Sequence, residues 1–341
     1  MSEPISLEST LTRAWTRRGW LACLLWPLSL LFGLIALLRR SLYRLGWRQA
    51  TRLPVPVIMV GNVFVGGTGK TPLTIWLVQA LRQAGYTPGV ISRGYGSQQG
   101  EVRAVTAASL AHEVGDEPLL IAERSGCPVM VGRARVAVAQ ALLAAHPEVD
   151  VIVSDDGLQH YALARDIEIV LSDARGNGNG WLLPAGPLRE PASRRRDFTV
   201  CNVGSGNIAA PAGVFAMQLV TDQVELLPDR ACRQPLEALS QAEDIAAVAG
   251  IGNPDRFFAT LKQAGLNFTR LALPDHYDFA HNPFARLSAA LILITEKDAV
   301  KCRAIEAIKN DPRIWVVPVT ARIDGALAEH IVEKLRERPT A

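Results

Sequence analysis

Residues 20–38 form a long apolar run without one charged side chain. The run approaches the length that a helix needs to cross a bilayer, and it is apolar on every side, unlike a surface helix of a soluble domain. Basic residues flank both ends, Pro27 would kink a spanning helix, and no small-residue cleavage site follows. The pattern predicts a membrane helix that spans the bilayer or lies in one leaflet; the alternative is a buried helix of a soluble protein.

Short apolar runs alternate with helix-like segments from residue 55 to about residue 205. This alternation, with β-branched residues in the apolar runs, predicts a parallel sheet covered on both faces, whose ligands bind at the carboxyl ends of the strands. The predicted strands are Val55–Val60, Gly89–Ser92, Val129–Val131, Val151–Asp155, Ile167–Leu171 and Thr199–Asn202, and the predicted helices include Leu73–Ala84 and Ala134–Ala145.

The segment from Phe64 to Thr71 follows the first predicted strand and reads FVGGTGKT. A strand, a glycine loop and a helix are the context of a phosphate-binding loop, in which amides surround phosphate oxygens, lysine neutralises charge and the hydroxyl can hold Mg²⁺. The strict pattern has glycine where this chain has Phe64, and a chance glycine-rich turn before Lys-Thr is the alternative. The predicted nucleotide-binding residues are Phe64, Val65, Gly66, Gly67, Thr68, Gly69, Lys70 and Thr71.

The alternation of strand and helix patterns is interrupted near residues 214–236, where two predicted strands and two prolines occur. A second alternating region follows, so the fold class predicted is α/β, with a P-loop NTPase-like parallel sheet core, a smaller α/β C-terminal domain and an N-terminal hydrophobic membrane helix. The predicted domains are a membrane-associated helix with basic flanks (1–50), the P-loop core (51–213), a two-stranded linker or hinge (214–236) and the smaller α/β domain (237–341).

Carboxylates and arginines lie where this fold would place ligand contacts. Asp155 and Asp156 end an apolar strand, as the Mg²⁺-holding acid of a Walker B motif does. Asp116 and Glu117 begin a predicted helix, where acids also serve as simple helix caps. Three further features stand in loops: Arg93 and Arg133 after predicted strands, the long Gly/Pro-rich segment Asp173–Pro191 ending in Arg189-Glu190, and the basic run Arg194-Arg195-Arg196, interpreted as a solvated patch.

Net charge and cysteine spacing argue against a nucleic-acid-binding protein and against a disulfide or zinc framework. The formal net charge is only +3, so no global nucleic-acid signal exists. The five cysteines are scattered without a C-x-x-C pair, which favours a reducing compartment over a disulfide or zinc framework.

The motifs together resemble the tetraacyldisaccharide 4′-kinase family, the lipid A 4′-kinases of Gram-negative bacteria. The resemblance covers nearly the whole chain. It rests on the basic-flanked apolar N-terminus and on VGNVFVGGTGKTP, SRGYG, GDEP, SDDGLQH, LPAGPLREP, GIGNP, PDHYDF and TEKDAVK in this order. It implies ATP- and Mg²⁺-dependent phosphorylation of the 4′-hydroxyl of a membrane-embedded disaccharide precursor of lipid A, among inner-membrane lipids at the cytoplasmic face, with no nucleic acid and no obligate protein partner evident.

The resemblance also assigns roles to residues. Asp116 would accept the proton of the acceptor hydroxyl and His276 would orient Asp116, so these two are the predicted catalytic residues. The predicted metal contacts are Thr71, Asp155, Asp156, Glu117 and Glu190, without a decision on which bind directly. The predicted substrate contacts are Arg93, Arg133 and Arg189.

Two rival functions fit part of the sequence. The first is a membrane-associated P-loop GTPase or ATPase switch, but Thr295-Glu296-Lys297-Asp298 places its lysine one position too late for the guanine-selective [NT]-K-x-D pattern. The second is an ATP-dependent ligase-like enzyme, which gives no reason for an uncharged segment at residues 20–38.

Overall fold

A computed structural model describes residues 12–94, 100–204 and 211–338. Its helices are α1 (Trp20–Arg44), α2 (Lys70–Gln83), α3 (Ala111–Val114), α4 (Asp116–Ser125), α5 (Arg135–Ala145), α6 (Pro254–Gln263), α7 (Glu296–Cys302), α8 (Glu306–Lys309) and α9 (Ala326–Arg336). Its strands are β1 (Val57–Asn62), β2 (Pro88–Ser92), β3 (Arg103–Ala104), β4 (Val129–Val131), β5 (Val151–Asp155), β6 (Ile167–Asp173), β7 (Phe198–Asn202), β8 (Phe215–Val220), β9 (Gln223–Leu226), β10 (Arg233–Pro235), β11 (Ile245–Ala249), β12 (Thr269–Ala272), β13 (Leu291–Thr295), β14 (Ile314–Val317) and β15 (Thr320–Ile323).

The chain forms two compact units that interleave along the sequence. In the described residues the first unit contains 12–70, 153–217 and 324–338, and the second contains 71–152 and 218–323. The predicted domain boundaries at residues 50, 213 and 236 stay a prediction.

The first unit is built on parallel strands. β1 pairs with β6, β6 with β7, and β7 with the start of β8, all in parallel. Every residue of β1 is buried, which explains its continuous apolar run. The carboxyl end of β1 leads directly into the glycine loop, as predicted.

The second unit contains a six-stranded sheet in the order β10-β9-β14-β13-β11-β12, with parallel pairs among β11 to β14. Alternate residues of its central strands enter separate cores. Ala246 and Val248 of β11 enter one cluster, whereas Ile245 and Ala247 enter the other. This period of two shows that the sheet is covered on both faces. The same unit contains β2, which pairs in parallel with β4.

These sheets confirm the α/β prediction, and several element boundaries differ from the predicted ones by one to three residues. The apolar run Trp315–Val319 predicts a last strand in the second alternating region. That strand ends at Val317, because Pro318 lacks the N–H that a strand needs. The sequence predicts a helix from Asp298, and helix α7 begins two residues earlier, at Glu296. The hydroxyl of Thr295 caps it by accepting a hydrogen bond from the amide of Asp298.

Helix α1 confirms the predicted apolar helix. Its 25 residues rise about 37 Å, and it is long and apolar enough to cross a membrane. Most of its leucines are more than half exposed, but Ala22 and Ser29 are buried. Pro27 lies inside the helix. One narrow face of α1 is therefore docked on protein, while the rest presents apolar surface.

The docked face of α1 meets the Gly/Pro-rich loop Asp173–Pro191. Ser29 Oγ donates to the carbonyl of Leu182 at 2.8 Å and accepts from the amide of Ala185 at 2.9 Å. The indole of Trp15 donates to the carbonyl of Pro184 at 2.9 Å. A hydroxyl inside an apolar helix thus has both a donor and an acceptor role, which fixes the position of the helix on the loop.

The loop has no space for a side chain at Gly186. A Cβ there would lie 2.2 Å from the carbonyl oxygen of Trp181 and 2.3 Å from Asn179 Oδ1. The first contact is with backbone, which cannot rotate away.

We expect Gly186→Ala to lower the free energy of unfolding by about 1–3 kcal/mol or more, because overpacking against backbone forces the loop to shift. Thermal and urea unfolding measure this effect. Gly325→Ala is the matched control, since a Cβ there meets nothing within 4 Å. Equal stabilities of the two variants would contradict the packing that places Gly186.

Candidate active site

The phosphate loop in the first unit is tied back by two buried asparagines. Asn62 Nδ2 donates to the carbonyls of Phe64 at 2.6 Å and of Gly66 at 3.2 Å. Asn202 Nδ2 donates to the carbonyl of Thr68 at 2.9 Å. The loop also uses left-handed backbone at Gly66, where φ is 104°. The hydrogen bonds from Asn62 and Asn202 therefore fix the conformation of the phosphate loop.

The segment Asp173–Pro191 holds the same loop from another side. The amide of Val65 donates to the carbonyl of Pro187 at 2.9 Å, and Arg175 donates to the carbonyl of Gly67 at 3.1 Å. The Arg175 guanidinium also lies 4.4 Å from the centroid of the Phe64 ring. Phe64 is buried at the position where the strict pattern has glycine, so the departure has a packing role.

Lys70, Asp156 and Arg189 come together at the end of this loop. Lys70 Nζ lies 3.1 Å from Asn62 Oδ1 and 3.6 Å from Asp156 Oδ1. Arg189 lies 3.2 Å from Asp156 Oδ2. Two cations thus share one carboxylate, which leaves a net positive charge suited to an anionic phosphate.

The structure places the other predicted metal carboxylates of this unit differently. Asp155 is buried at the end of β5, whereas Glu190 forms an ion pair with Arg194 and accepts from Gln159 at 3.1 Å. Glu190 would have to leave that ion pair to bind a metal, and its assignment stays a prediction. No group of three or more His, Cys, Asp or Glu side chains that could hold a metal occurs among the residues the structure describes.

Asp116 and His276 meet in the second unit, although 160 positions separate them in the chain. Asp116 Oδ2 lies 3.0 Å from His276 Nδ1. Asp116 is buried as the first residue of α4, and its Oδ1 accepts from the amide of Glu117 at 2.9 Å. His276 is about one-third exposed and stands on left-handed backbone with φ of 57°. The structure therefore brings together the two residues predicted to be catalytic.

Electrostatics favour the ionised form of both partners. Burial by itself would raise the pKa of Asp116, but the hydrogen bond with His276 and the charge of Lys297 outweigh it and lower the pKa below its ordinary value. The hydrogen bond with Asp116 raises the pKa of His276, against the opposing effect of burial.

Lys297 extends this charged group. It forms an ion pair with Glu117, and the charges of Glu117 and Asp116 raise the pKa of Lys297 well above its ordinary value even though burial opposes this. Glu117, predicted as a metal carboxylate, is thus already paired with a cation, and its assignment stays a prediction.

The loop that carries His276 packs closely against Gly250, and the buried carboxylate of Asp298 holds the backbone of that glycine. A Cβ at Gly250 would lie 3.0 Å from Asp298 Oδ1 and 3.1 Å from Tyr277 Cβ. Asp298 is fully buried and accepts from the amide of Gly250 at 3.0 Å and from the hydroxyl of Thr295 at 2.7 Å. The motifs GIGNP and TEKDAVK therefore build the base on which the PDHYDF loop lies.

The remaining predicted contacts are not among the side chains that the two groups above bring together. Arg93 and Arg133 are exposed and follow the carboxyl ends of the neighbouring strands β2 and β4. Thr71 is buried in the first turn of α2. Tyr95 and Gly96 of the SRGYG motif lie outside the described residues.

Four side chains that hold the site have no role predicted from the sequence. Asn62, Asn202 and Arg175 fix the phosphate loop, and Lys297 pairs beside Asp116. Asn62 ends a strand beside the glycine loop, a position that signals a loop contact. Lys297 lies in the TEKDAVK motif and in the segment compared with the guanine-selective pattern, and neither predicts its position beside Asp116.

A glycine loop with its lysine, set between a buried parallel strand and a helix, defines the chain as an α/β protein of the phosphate-loop class. The family model for tetraacyldisaccharide-1-P 4′-kinase (LpxK) matches residues 21–336. The chain belongs to this family.

Relatives and a solved structure agree with that membership. The chain is 64% identical to a tetraacyldisaccharide 4′-kinase of Janthinobacterium sp. (strain Marseille) over 98% of both chains. It is 63% identical to a protein of the same name from Herminiimonas arsenicoxydans, over 97% of this chain and 96% of that one. The crystal structure of LpxK from Aquifex aeolicus in complex with ATP aligns with a TM-score of 0.77 and 28% identity, covering 92% of this chain and 99% of that one.

We expect Asp116→Asn to return the pKa of His276 towards its ordinary value of about 6.5, because the charged acceptor is lost. Titration of the His276 ring proton by NMR measures this shift. Asp278→Asn in the same loop is the control, since Asp278 contacts the amide of Ala280 instead.

The pair also predicts how stability depends on pH. A raised His276 pKa contributes stability that is complete below about pH 6.5 and is lost as pH rises through the folded-state pKa. A lowered Asp116 pKa contributes stability above about pH 4 that is lost on acidification. The stability difference between the wild type and Asp116→Asn should therefore be largest near about pH 5–6; a difference that grew above pH 8 would contradict the pairing.

Proposed function

We propose that this protein is an ATP- and Mg²⁺-dependent kinase that transfers the γ-phosphoryl group to the 4′-hydroxyl of a tetraacylated disaccharide 1-phosphate, the lipid A precursor. Family membership and the name shared by relatives above 60% identity support the reaction. The ATP complex of the Aquifex aeolicus structure supports the nucleotide.

The contact between Asp116 and His276 carries the proposal. The lowered pKa of Asp116 keeps its carboxylate ionised at neutral pH, ready to take the proton of the acceptor hydroxyl as the new P–O bond forms. His276 holds the carboxylate by a hydrogen bond at 3.0 Å. His276 is then a positioning residue, and Asp116 is the catalytic base.

Nucleotide binding falls to the phosphate loop. Lys70 would contact the β- and γ-phosphates, and the loop from Phe64 to Gly69 would surround them. Arg189 lies beside Lys70 through their shared carboxylate, so it would add charge neutralisation at the same point. Because phosphoryl transfer needs positioning and charge neutralisation more than covalent chemistry, a loop fixed by its own hydrogen bonds suits this role.

Asp155 and Asp156 are the proposed Mg²⁺ contacts of the first unit, and the Thr71 hydroxyl stays a predicted contact. In phosphoryl-transfer sites this ion takes one or two carboxylates, phosphate oxygens and water, so a cluster of three acids is not needed. When bound, it neutralises charge on the transferred group. Two further carboxylates, Glu117 and Glu190, would have to leave their ion pairs before they could bind Mg²⁺. The arginines Arg93 and Arg133 stay proposed substrate contacts.

The apolar surface of α1 explains how such an enzyme would reach its substrate. Each buried CH₂ holds a lipid in the bilayer by about 0.8 kcal/mol, so a tetraacyl substrate does not leave readily. We place the protein at the cytoplasmic face of the inner membrane, where ATP is present, with α1 in contact with lipid. Neither nucleic acid nor an obligate protein partner enters this proposal.

Transfer of label tests the function. We expect ³²P from [γ-³²P]ATP, and none from [α-³²P]ATP, to appear in the tetraacyldisaccharide 1-phosphate extracted into organic solvent, with transfer abolished by EDTA and restored by Mg²⁺. Lys70→Ala should reduce transfer to near background. Efficient use of GTP in place of ATP, or hydrolysis that is indifferent to the lipid, would contradict the proposed kinase.

Kinetics separate the two catalytic roles. Asp116→Ala should lower kcat by about 10²–10⁴-fold with little change in KM for ATP, as expected for loss of a general base. His276→Ala should cost less, and the double variant should cost little more than Asp116→Ala alone, because the two groups act as a unit.

Asp278→Ala, in the same loop as His276, serves as the control and should retain near wild-type kcat. Full additivity of the Asp116 and His276 effects, or an effect confined to KM, would rule out the assigned roles.

A further inference from the structure

A cavity of about 560 Å³ lies in the first unit at the carboxyl end of α1. Six arginines and three acidic residues line it together with two tyrosines, so the lining carries three excess positive charges. The lining residues are Arg40, Tyr43, Arg44, Tyr161, Arg165, Asp166, Glu168, Arg194, Arg195, Arg196 and Asp197.

The acids of this cavity are already neutralised. Asp166 pairs with Arg52 at 2.9 Å and with Arg338 at 3.3 Å, and Asp197 pairs with Lys334. These three cations lie outside the lining, so the charge that the cavity presents is more positive than its own residues indicate.

Glu168, the third acid, pairs with two of the lining arginines. Its carboxylate lies 2.9 Å from Arg165 and 2.6 Å from Arg194. The other four arginines have no carboxylate within ion-pair distance in residues 12–94, 100–204 and 211–338. They are Arg40, Arg44, Arg195 and Arg196.

The walls of the cavity are held in place by contacts within the protein. Arg165 donates to the carbonyls of Leu158 at 2.9 Å and of His160 at 2.8 Å. The ring of Tyr161 lies 5.9 Å from that of Tyr43 and has the Arg165 guanidinium 5.3 Å above it. Fixed walls lower the cost of ordering on binding, which favours a defined ligand over a diffuse ion cloud.

The position of the cavity indicates the source of the ligand. Leu34, Leu37 and Leu38 are each more than half exposed and lie within about three turns before Arg40 and Arg44 on the same helix. If α1 lies in lipid, as proposed, the cavity lies at the depth of the headgroups, where anionic phosphates are concentrated. Arginine binds phosphate oxygens in paired hydrogen bonds, so four guanidiniums without a carboxylate partner suit a phosphodiester, although Arg196 also donates to the carbonyl of Ala192 at 2.8 Å.

We propose that this cavity binds the phosphodiester headgroup of an anionic membrane phospholipid, whose acyl chains lie along α1. The site is additional to the contacts assigned to the kinase substrate and rests on the proposed attachment of α1 to the membrane. The run Arg194-Arg195-Arg196 thereby gains a role beyond solvation: Arg194 belongs to the buried frame, and its two exposed neighbours contact the ligand.

Native mass spectrometry of the full chain from mixed micelles tests the site. The wild type should retain one phosphatidylglycerol in preference to phosphatidylcholine. Arg195→Gln/Arg196→Gln should weaken retention by about tenfold, the loss expected for charge-assisted hydrogen bonds. Arg13→Gln/Arg17→Gln, which removes the same charge before the other end of α1, should change it less than about twofold. An equal loss of phosphatidylglycerol retention in the two double variants would overturn the defined site, because it would show non-specific attraction between basic residues and anionic lipid.

Further arms separate the possible sources. Arg40→Gln/Arg44→Gln should reproduce the loss from the helix side of the cavity. Inorganic phosphate that displaced the lipid completely would overturn the lipid assignment, and so would one-for-one displacement by the tetraacyldisaccharide 1-phosphate. Phosphoryl transfer in phospholipid-free detergent should stay unchanged in Arg195→Gln/Arg196→Gln, so failure of the lipid site is distinguishable from failure of the kinase.

Discussion

The hydrogen bonds of the loop Asp173–Pro191 are the constraint on which the first unit depends. Ser29 of α1 binds both Leu182 and Ala185 of this loop, and the carbonyl of Pro187 binds the amide of Val65 in the phosphate loop. A few residues therefore connect the apolar helix to the phosphate loop through hydrogen bonds to the backbone of Asp173–Pro191. The crowding around Gly178 and Gly186 leaves no space for a side chain at either position, so these two glycines serve close packing rather than flexibility.

In the second unit the main constraint is electrostatic, because the buried carboxylate of Asp116 has to stay ionised. Burial opposes charge on Asp116, and the protein offsets this with His276 and Lys297. The histidine is carried by a loop that rests on Gly250 and on the fully buried Asp298. The buried structural carboxylate Asp298 and the proposed catalytic base Asp116 thus lie in one unit with distinct partners. The contact between Asp116 and His276 therefore depends on several short motifs that are distant in the sequence.

Sequence patterns predicted the buried strands and the glycine loop because both depend on local hydrophobicity and on backbone geometry. The proximity of Asp116 to His276 came only from family resemblance, since no local pattern reports a contact across 160 positions. Ion pairs are not visible in a hydrophobic pattern: Glu190 and Arg194 bind each other in the interior, and neither local hydrophobicity nor loop composition reports that contact. Short elements such as β3 and β10 also escaped prediction, because two or three residues carry no period.

Mapping the position of the transferred phosphate tests the central claim most directly. The product formed from ATP and the tetraacyldisaccharide 1-phosphate should show a second phosphomonoester in its ³¹P spectrum, correlated with the proton on carbon 4′ of the distal glucosamine. Correlation of that phosphorus with any other ring proton, or the appearance of free phosphate without a new phosphomonoester, would contradict the account.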